Sequence, residues 1–228
     1  MTRAVIRYAV IGASAVVGIV ALLHAPAARP LLSRLGVKCP VDEVSPGVVE
    51  HMHRAAVREL QGQSPAPTRL VFGLDLAASR EEHVRRWIGD RGLACRDTVR
   101  GLRYVSCANV TLDATTPAES GSAIQDLTFS FDEAGALVGI DALRGGLTGP
   151  TAAAIATAVE ARLQRDLGMP AGRVGSFGAF GREPKPFETS SVSYRFSDAL
   201  VTLTAVALPD RGVTVREQYV PVPTGGVS

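Results

Sequence analysis

Lysine is almost missing from this chain: only Lys38 and Lys185 stand among its 24 basic residues, so arginine carries nearly all of the positive charge. The basic residues are mixed with 22 acidic ones along the chain, and the formal net charge is only +2. No basic block forms, which removes the electrostatic footprint a nucleic-acid-binding surface needs. No nucleic-acid partner is expected. Histidine is also scarce, limited to His24, His51, His53 and His83. His51 and His53 lie two apart in a helical stretch and so point to different faces, whereas helical metal ligands want a spacing of three or four. His83 stands beside Glu82 on the outer side of its helix.

The chain has no H-E-x-x-H, no G-x-S-x-G, no phosphate loop and no dinucleotide fingerprint. Gly145-Gly146 and Gly225-Gly226 lack the strand-to-helix context of a phosphate site and read as turns. Asp126, Asp132, Asp141 and Asp198 fall at expected strand ends or turns, where aspartate is common for its backbone hydrogen bonding. No residue is therefore assigned a catalytic, cofactor-binding or metal-binding role, and no cofactor is expected.

What is present is enough for a folded core. An apolar fraction of 46% over 228 residues is that of a globular protein, with room for one large domain or two small ones. The first apolar stretch stands apart. Arg3 and Arg7 precede "AVIGASAVVGIVALL", which runs from Ala9 to Leu23 without a charge, the pattern of an export signal. The run is at the top of the signal range and short of the roughly 17 to 25 residues that span a bilayer. Ala25-Pro26-Ala27 offers small residues for cleavage, while Tyr8 and His24 bracket the run as interfacial residues and favour a retained anchor. Residues 1–24 are thus a transmembrane anchor or signal peptide, with membrane contact through residues 4–24. The folded part is expected outside the cytoplasm, or secreted if the segment is cleaved.

Residues 25–68 read as a juxtamembrane segment, a helix and a proline-rich linker. Ser45 and Pro46 begin the helix, Val49, Met52, Ala56 and Leu60 recur at helical spacing, and Gly62 stops it. The tract "GQSPAPTR" then reads as short and stiff. The main domain is placed at 69–222, with 223–228 a flexible tail. Within it, "RLVFGLDL" is a short extended candidate, and Ser79-Arg80-Glu81-Glu82 reads as a capping box before a helix with Val84, Trp87 and Ile88 on one stripe. Two strands flank Gly101, and a polar loop runs from Thr111 to Ser122. "IQDLTFSF" and "ALVGIDALR" form a hairpin turning at Asp132 to Gly135. Pro150 opens a second long helix, lined by Ala152, Ile155, Val159, Leu163 and Leu167. A strand near Val174 to Phe180 is followed by "SVSYRF", "ALVTLTAVAL" and "VTVREQYV", an antiparallel meander.

"FSFDEAGALVGIDA" from Phe129 and "YRFSDALVTLTAVA" from Tyr194 share an aromatic strand end, an Asp-containing turn and an Ala-Leu-Val return. The fold class is therefore α+β, antiparallel sheet with helices packed on one face, with a tandem duplication over 70–145 and 150–220 as one reading. The other reading is that alanine-rich hairpins align this well by composition. Cys95 and Cys107 fall opposite one another across Gly101, at the separation a cross-strand disulfide requires. Cys39 is left over.

The order of "HVRRWIGDRGLAC" and then aromatic strands ending "FDEAGALV" resembles the helix-then-meander modules of outer-membrane assembly lipoproteins and of the beta-lactamase inhibitor protein. No loop motif specific to either is present, so no partner is carried over. "LLHAPAARPLLSRL" from Leu22 resembles the juxtamembrane segment of AsmA-like envelope proteins, in which the anchor is retained. The arginine, alanine, glycine and valine richness resembles that of the uncharacterised exported or membrane-anchored proteins of high-GC bacteria. Export, the repeat-like sheet and the absence of a chemical motif point instead to a non-enzymatic envelope interaction or assembly module with an envelope protein partner. The alternatives are a hydrolase or small-ligand-binding protein acting on envelope material, or a structural stalk. If the chain is an interaction module, contacts are expected on the sheet face away from the helices, at Thr128, Ser130, Arg195, Thr202 and Thr204, or on the loop from Thr111 to Ser122.

Overall fold

The computed structural model describes residues 46–111 and 123–222. The expected anchor, Cys39, nearly all of the Thr111–Ser122 loop and the tail lie outside them. Among the described residues, no helix is long and apolar enough to cross a membrane. Helix α1 spans Pro46–Glu59, and β1 (Leu70–Val71) pairs with β2 (Leu74–Asp75) in a small hairpin. Two blocks then follow in similar order. The first is α2 (Glu81–Asp90), β3 (Cys95–Arg100), β4 (Leu102–Val110), β5 (Ile124–Phe131) and β6 (Leu137–Leu147). The second is α3 (Gly149–Leu167), β7 (Gly172–Val174), a 3₁₀ turn at Phe177–Gly181, β8 (Thr189–Arg195), β9 (Ala199–Leu208) and β10 (Gly212–Pro221).

The fold is α+β. Strands β3 to β10 make one eight-stranded antiparallel sheet in the order β3-β4-β5-β6-β10-β9-β8-β7. The last strand of each block lies at the centre of the sheet, and the first strand of each forms an edge.

Strand alternation sets the two faces. On β5, Leu127, Phe129 and Phe131 are fully buried, while Asp126, Thr128 and Ser130 between them are half-buried. The hairpin to β6 closes as expected: the Asp132 carboxylate accepts the Ala136 N–H at 2.8 Å, and Gly135 takes φ 77°. In α3, the Thr148 hydroxyl accepts the Thr151 N–H, and Ala152, Ile155, Ala156, Val159, Leu163 and Leu167 are buried. The small alanine stripe allows close approach. At the helix start, a Cβ on Gly149 would meet the Phe180 carbonyl oxygen at 2.4 Å.

Helix α2 buries Val84 and Trp87. Its cap differs from the capping box expected at Ser79: the N-cap residue is Arg80, whose N–H donates to His83 Nδ1 at 3.3 Å. Ser79 lies outside the helix and is buried, with its N–H on Asp75 and its carbonyl accepting from Leu137.

Cys95 and Cys107 are in direct register on β3 and β4 and form a disulfide, with Cα atoms 4.1 Å apart. The bond ties the edge strand to its neighbour. Reduction is expected to destabilise the fold by about 2–3 kcal/mol, because the closed loop is short. Urea unfolding with and without reductant measures this, and alkylation of the oxidised chain should leave both residues unmodified.

Three expectations need correction. Met52, Ala56 and Leu60 of the expected α1 stripe are exposed, whereas Val57 is buried, packed with Leu200 and Val222 and flanked by Val220. Leu200 and Val220 are opposed on the sheet face away from α2 and α3, so α1 covers one end of that face. The strand expected from Val174 to Phe180 shrinks to Gly172–Val174, after which Phe177 and Phe180 turn inward on the 3₁₀ turn. Finally, the hairpin likeness matched β5–β6 with β8–β9, whereas strand order makes β9–β10 the counterpart of β5–β6. That likeness is one of turn chemistry.

The proline-bearing tract is irregular, as expected, and it is docked. Gly62 N–H donates to Phe196, Ser197 N–H donates to Ser64, and Ala66 N–H donates to the Asp198 carboxylate at 2.7 Å. A Cβ on Gly62 would stand 2.1 Å from the Arg195 carbonyl oxygen. Glycine is required by that close approach.

Candidate binding face

Register assigns the open face residue by residue. Thr128 pairs with Ser106 on β4 and with Asp141 on β6, Asp141 pairs with Gln218 on β10, and Gln218 pairs with Thr202 on β9. Thr202 in turn pairs with Ser193 on β8. A row of polar side chains thus crosses six strands. The next row includes Ser130, and another carries Leu143, Arg216 and Thr204. The five residues singled out from the sequence, Thr128, Ser130, Arg195, Thr202 and Thr204, all lie on this face, with Arg195 exposed and the other four half-buried.

The row is internally hydrogen-bonded. Arg216 Nε donates to both Asp141 oxygens at 2.9 and 2.8 Å, with a further Nη2 bond, and Gln218 Nε2 reaches Asp141 at 3.4 Å. The hydrogen bonds to Asp141 raise the Arg216 pKa despite opposing desolvation. Thr128 donates to Asp126 at 2.9 Å and shares a 2.8 Å hydroxyl contact with Ser106. Asp126 and Asp141 therefore sit within strands, not at the strand ends expected of them, while Asp132 and Asp198 do occupy turns.

These side chains line a groove of about 570 Å³ that runs from Tyr104 and Asp126 to Arg216 and Val220. A second groove of about 530 Å³ continues it toward the β3 edge, lined by Arg96, Thr98, Arg100, Tyr104, Ser106 and Thr128. Among the described residues, no cluster of three His, Cys, Asp or Glu side chains could hold a metal. His51 is exposed, and His83 is engaged by its cap and a 3.7 Å contact with Glu82.

Beneath the centre of the sheet lies a charged cluster that sequence reading missed. Glu217 is fully buried on the helix-facing side of β10 and accepts from Arg144 Nη1 at 2.6 Å, Arg162 Nη2 at 2.6 Å and the Tyr219 hydroxyl at 2.6 Å. Its signal was available: in "VTVREQYV", Glu217 shares the strand parity of Val213, Val215 and Tyr219, and Arg144 shares that of Ile140 and Ala142. A charge in an apolar row of a strand must find a buried partner. Burial on its own raises the Glu217 carboxyl, but Arg162, Arg144 and the hydrogen bonds from Tyr219 and Arg144 hold it below the ordinary 4.5. Burial, followed by the Glu217 charge, pushes the Tyr219 hydroxyl above its ordinary 10.0.

No family model, curated protein or solved structure matches the chain.

Proposed function

We propose that the chain is a non-enzymatic binding module of the cell envelope that holds a protein partner on the open face of its sheet. The observation that carries this reading is the division of one sheet into two unlike faces. One face is packed under α2 and α3; the other presents a hydrogen-bonded polar row and two confluent grooves. A rigid sheet presenting many weak donors and acceptors suits a broad protein contact. Asp141 is engaged by Arg216 and Asp126 by Thr128, so neither carboxylate stands as a free general base, which favours binding over hydrolysis.

The envelope address rests on the N-terminal apolar run, and the Cys95–Cys107 bond suits an oxidising compartment. The matching order of the two blocks supports a tandem duplication, in which a broad open face arises by joining two small sheets at β6 and β10.

The test is crosslinking of the full chain in envelope membranes, with Thr128 and Thr202 each replaced by arginine. Loss of the crosslinked partner in T128R/T202R is expected, with retention in R165E on exposed α3. An unchanged crosslink in the face variant would remove the reading.

A further inference from the structure

The two edges of the sheet are built differently. β7 is a three-residue edge, and Arg173 on it is held by Glu160 of α3. Short edges of this kind resist further pairing. β3 is a six-residue edge with no proline and an unbroken register against β4, and the disulfide anchors one end of it.

The hydrogen-bonding phase of β3 follows from the disulfide pair. A Cα separation of 4.1 Å marks Cys95 and Cys107 as a narrow, non-hydrogen-bonded pair. By alternation, Arg96 and Thr98 bond to β4, while Cys95, Asp97 and Val99 direct their N–H and carbonyl groups away from the sheet. No described strand pairs with them. Val99 is 71% exposed.

The side chains divide by charge as well as by face. Asp97 belongs to the helix-facing side and is paired with Arg85 at 3.0 Å. Arg96 and Arg100 flank Thr98 on the open side and line the 530 Å³ groove with Tyr104. Both arginines are exposed, and neither has an ion pair or side-chain hydrogen bond among the described residues. An edge that offers backbone pairing along its length and two unneutralised guanidinium groups on one side is complementary to an extended chain with acidic side chains at alternate positions.

We propose that β3 is a peptide-docking edge that takes an extended acidic segment of a partner protein as a ninth strand, its carboxylates on Arg96 and Arg100. This rests on the reading of the chain as a binding module and names the partner's chemistry. The preformed, disulfide-anchored edge lowers the ordering cost of binding.

The test uses the full chain and a short capped peptide with glutamate at alternate positions and valine between. Fluorescence anisotropy should show saturable binding that weakens with salt, and hydrogen exchange should slow across 95–100. R96Q/R100Q should weaken binding by about threefold to thirtyfold, the sum expected of two exposed ion pairs. The same peptide N-methylated at alternate backbone positions should not bind. Equal binding of the N-methylated peptide, absence of saturable binding, or slowed exchange confined to Asp141 and Arg216 would each overturn the edge site. The last result would leave the open-face reading standing, and that reading fails separately if T128R/T202R retains its crosslink.

Discussion

Replacing Glu217 with alanine is expected to lower the folding free energy by about 3–5 kcal/mol, measured by urea unfolding at neutral pH. The loss comes less from the contact removed than from what stays behind: Arg144, buried at 6% exposure, keeps its charge after the carboxylate that met it is gone. The same group sets an acid limit. Its folded-state pKa lies below the unfolded value, so its stabilisation is complete above the ordinary 4.5 and is lost as pH falls through the folded-state value. The wild-type acid limb should therefore be steeper than that of E217Q, which cannot titrate at this position. Equal acid limbs in the two proteins would show that Glu217 is not held ionised by its arginines.

Phe129→Ala should cost a similar amount, about 3–5 kcal/mol, by opening a cavity in the fully buried core. Phe129 is fully buried, and its ring meets Trp87 edge-on at 5.7 Å. Trp87 is fixed from three sides: its Nε1 donates to the Phe72 carbonyl at 2.8 Å, Arg91 lies 4.3 Å over its ring, and Phe129 closes the inner edge. The cavity cannot collapse without moving the β1–β2 hairpin that supplies Phe72. Trp87→Ala should cost as much, and the double variant should show a coupling of about 0.5–1.5 kcal/mol beyond additivity. Because Trp87 is the only tryptophan, its fluorescence reports directly on this contact.

Local sequence determined the parts whose causes are local. Alternation in "IQDLTFSF" is a consequence of strand geometry, and it fixed which of Phe129 and Thr128 faces the helices before any partner strand was known. The turn at Asp132 to Gly135 and the alanine stripe of α3 are likewise written within a few residues. Even the disulfide was local in this sense, since a tight reversal at Gly101 leaves Cys95 and Cys107 no choice but to face each other.

What spans distant segments was decided by the tertiary structure. The stripe on α1 gave the wrong buried face because its packing surface, Leu200 and Val222, lies some 150 residues further along the chain, and Val57 was the residue that reached it. Glu217 stands in an apolar row of its own strand, but the arginines that meet it there, Arg144 and Arg162, come from β6 and α3. The capping of α2 went to His83 because Ser79 was drawn into bonds with Asp75 and Leu137. The open face follows the same division: each strand specified its polar side by alternation, but the meeting of β6 with β10 is a choice of strand order. That order, set by helix packing and edge pairing over the whole chain, is what places Arg216 beside Asp141 and turns separate polar rows into one surface.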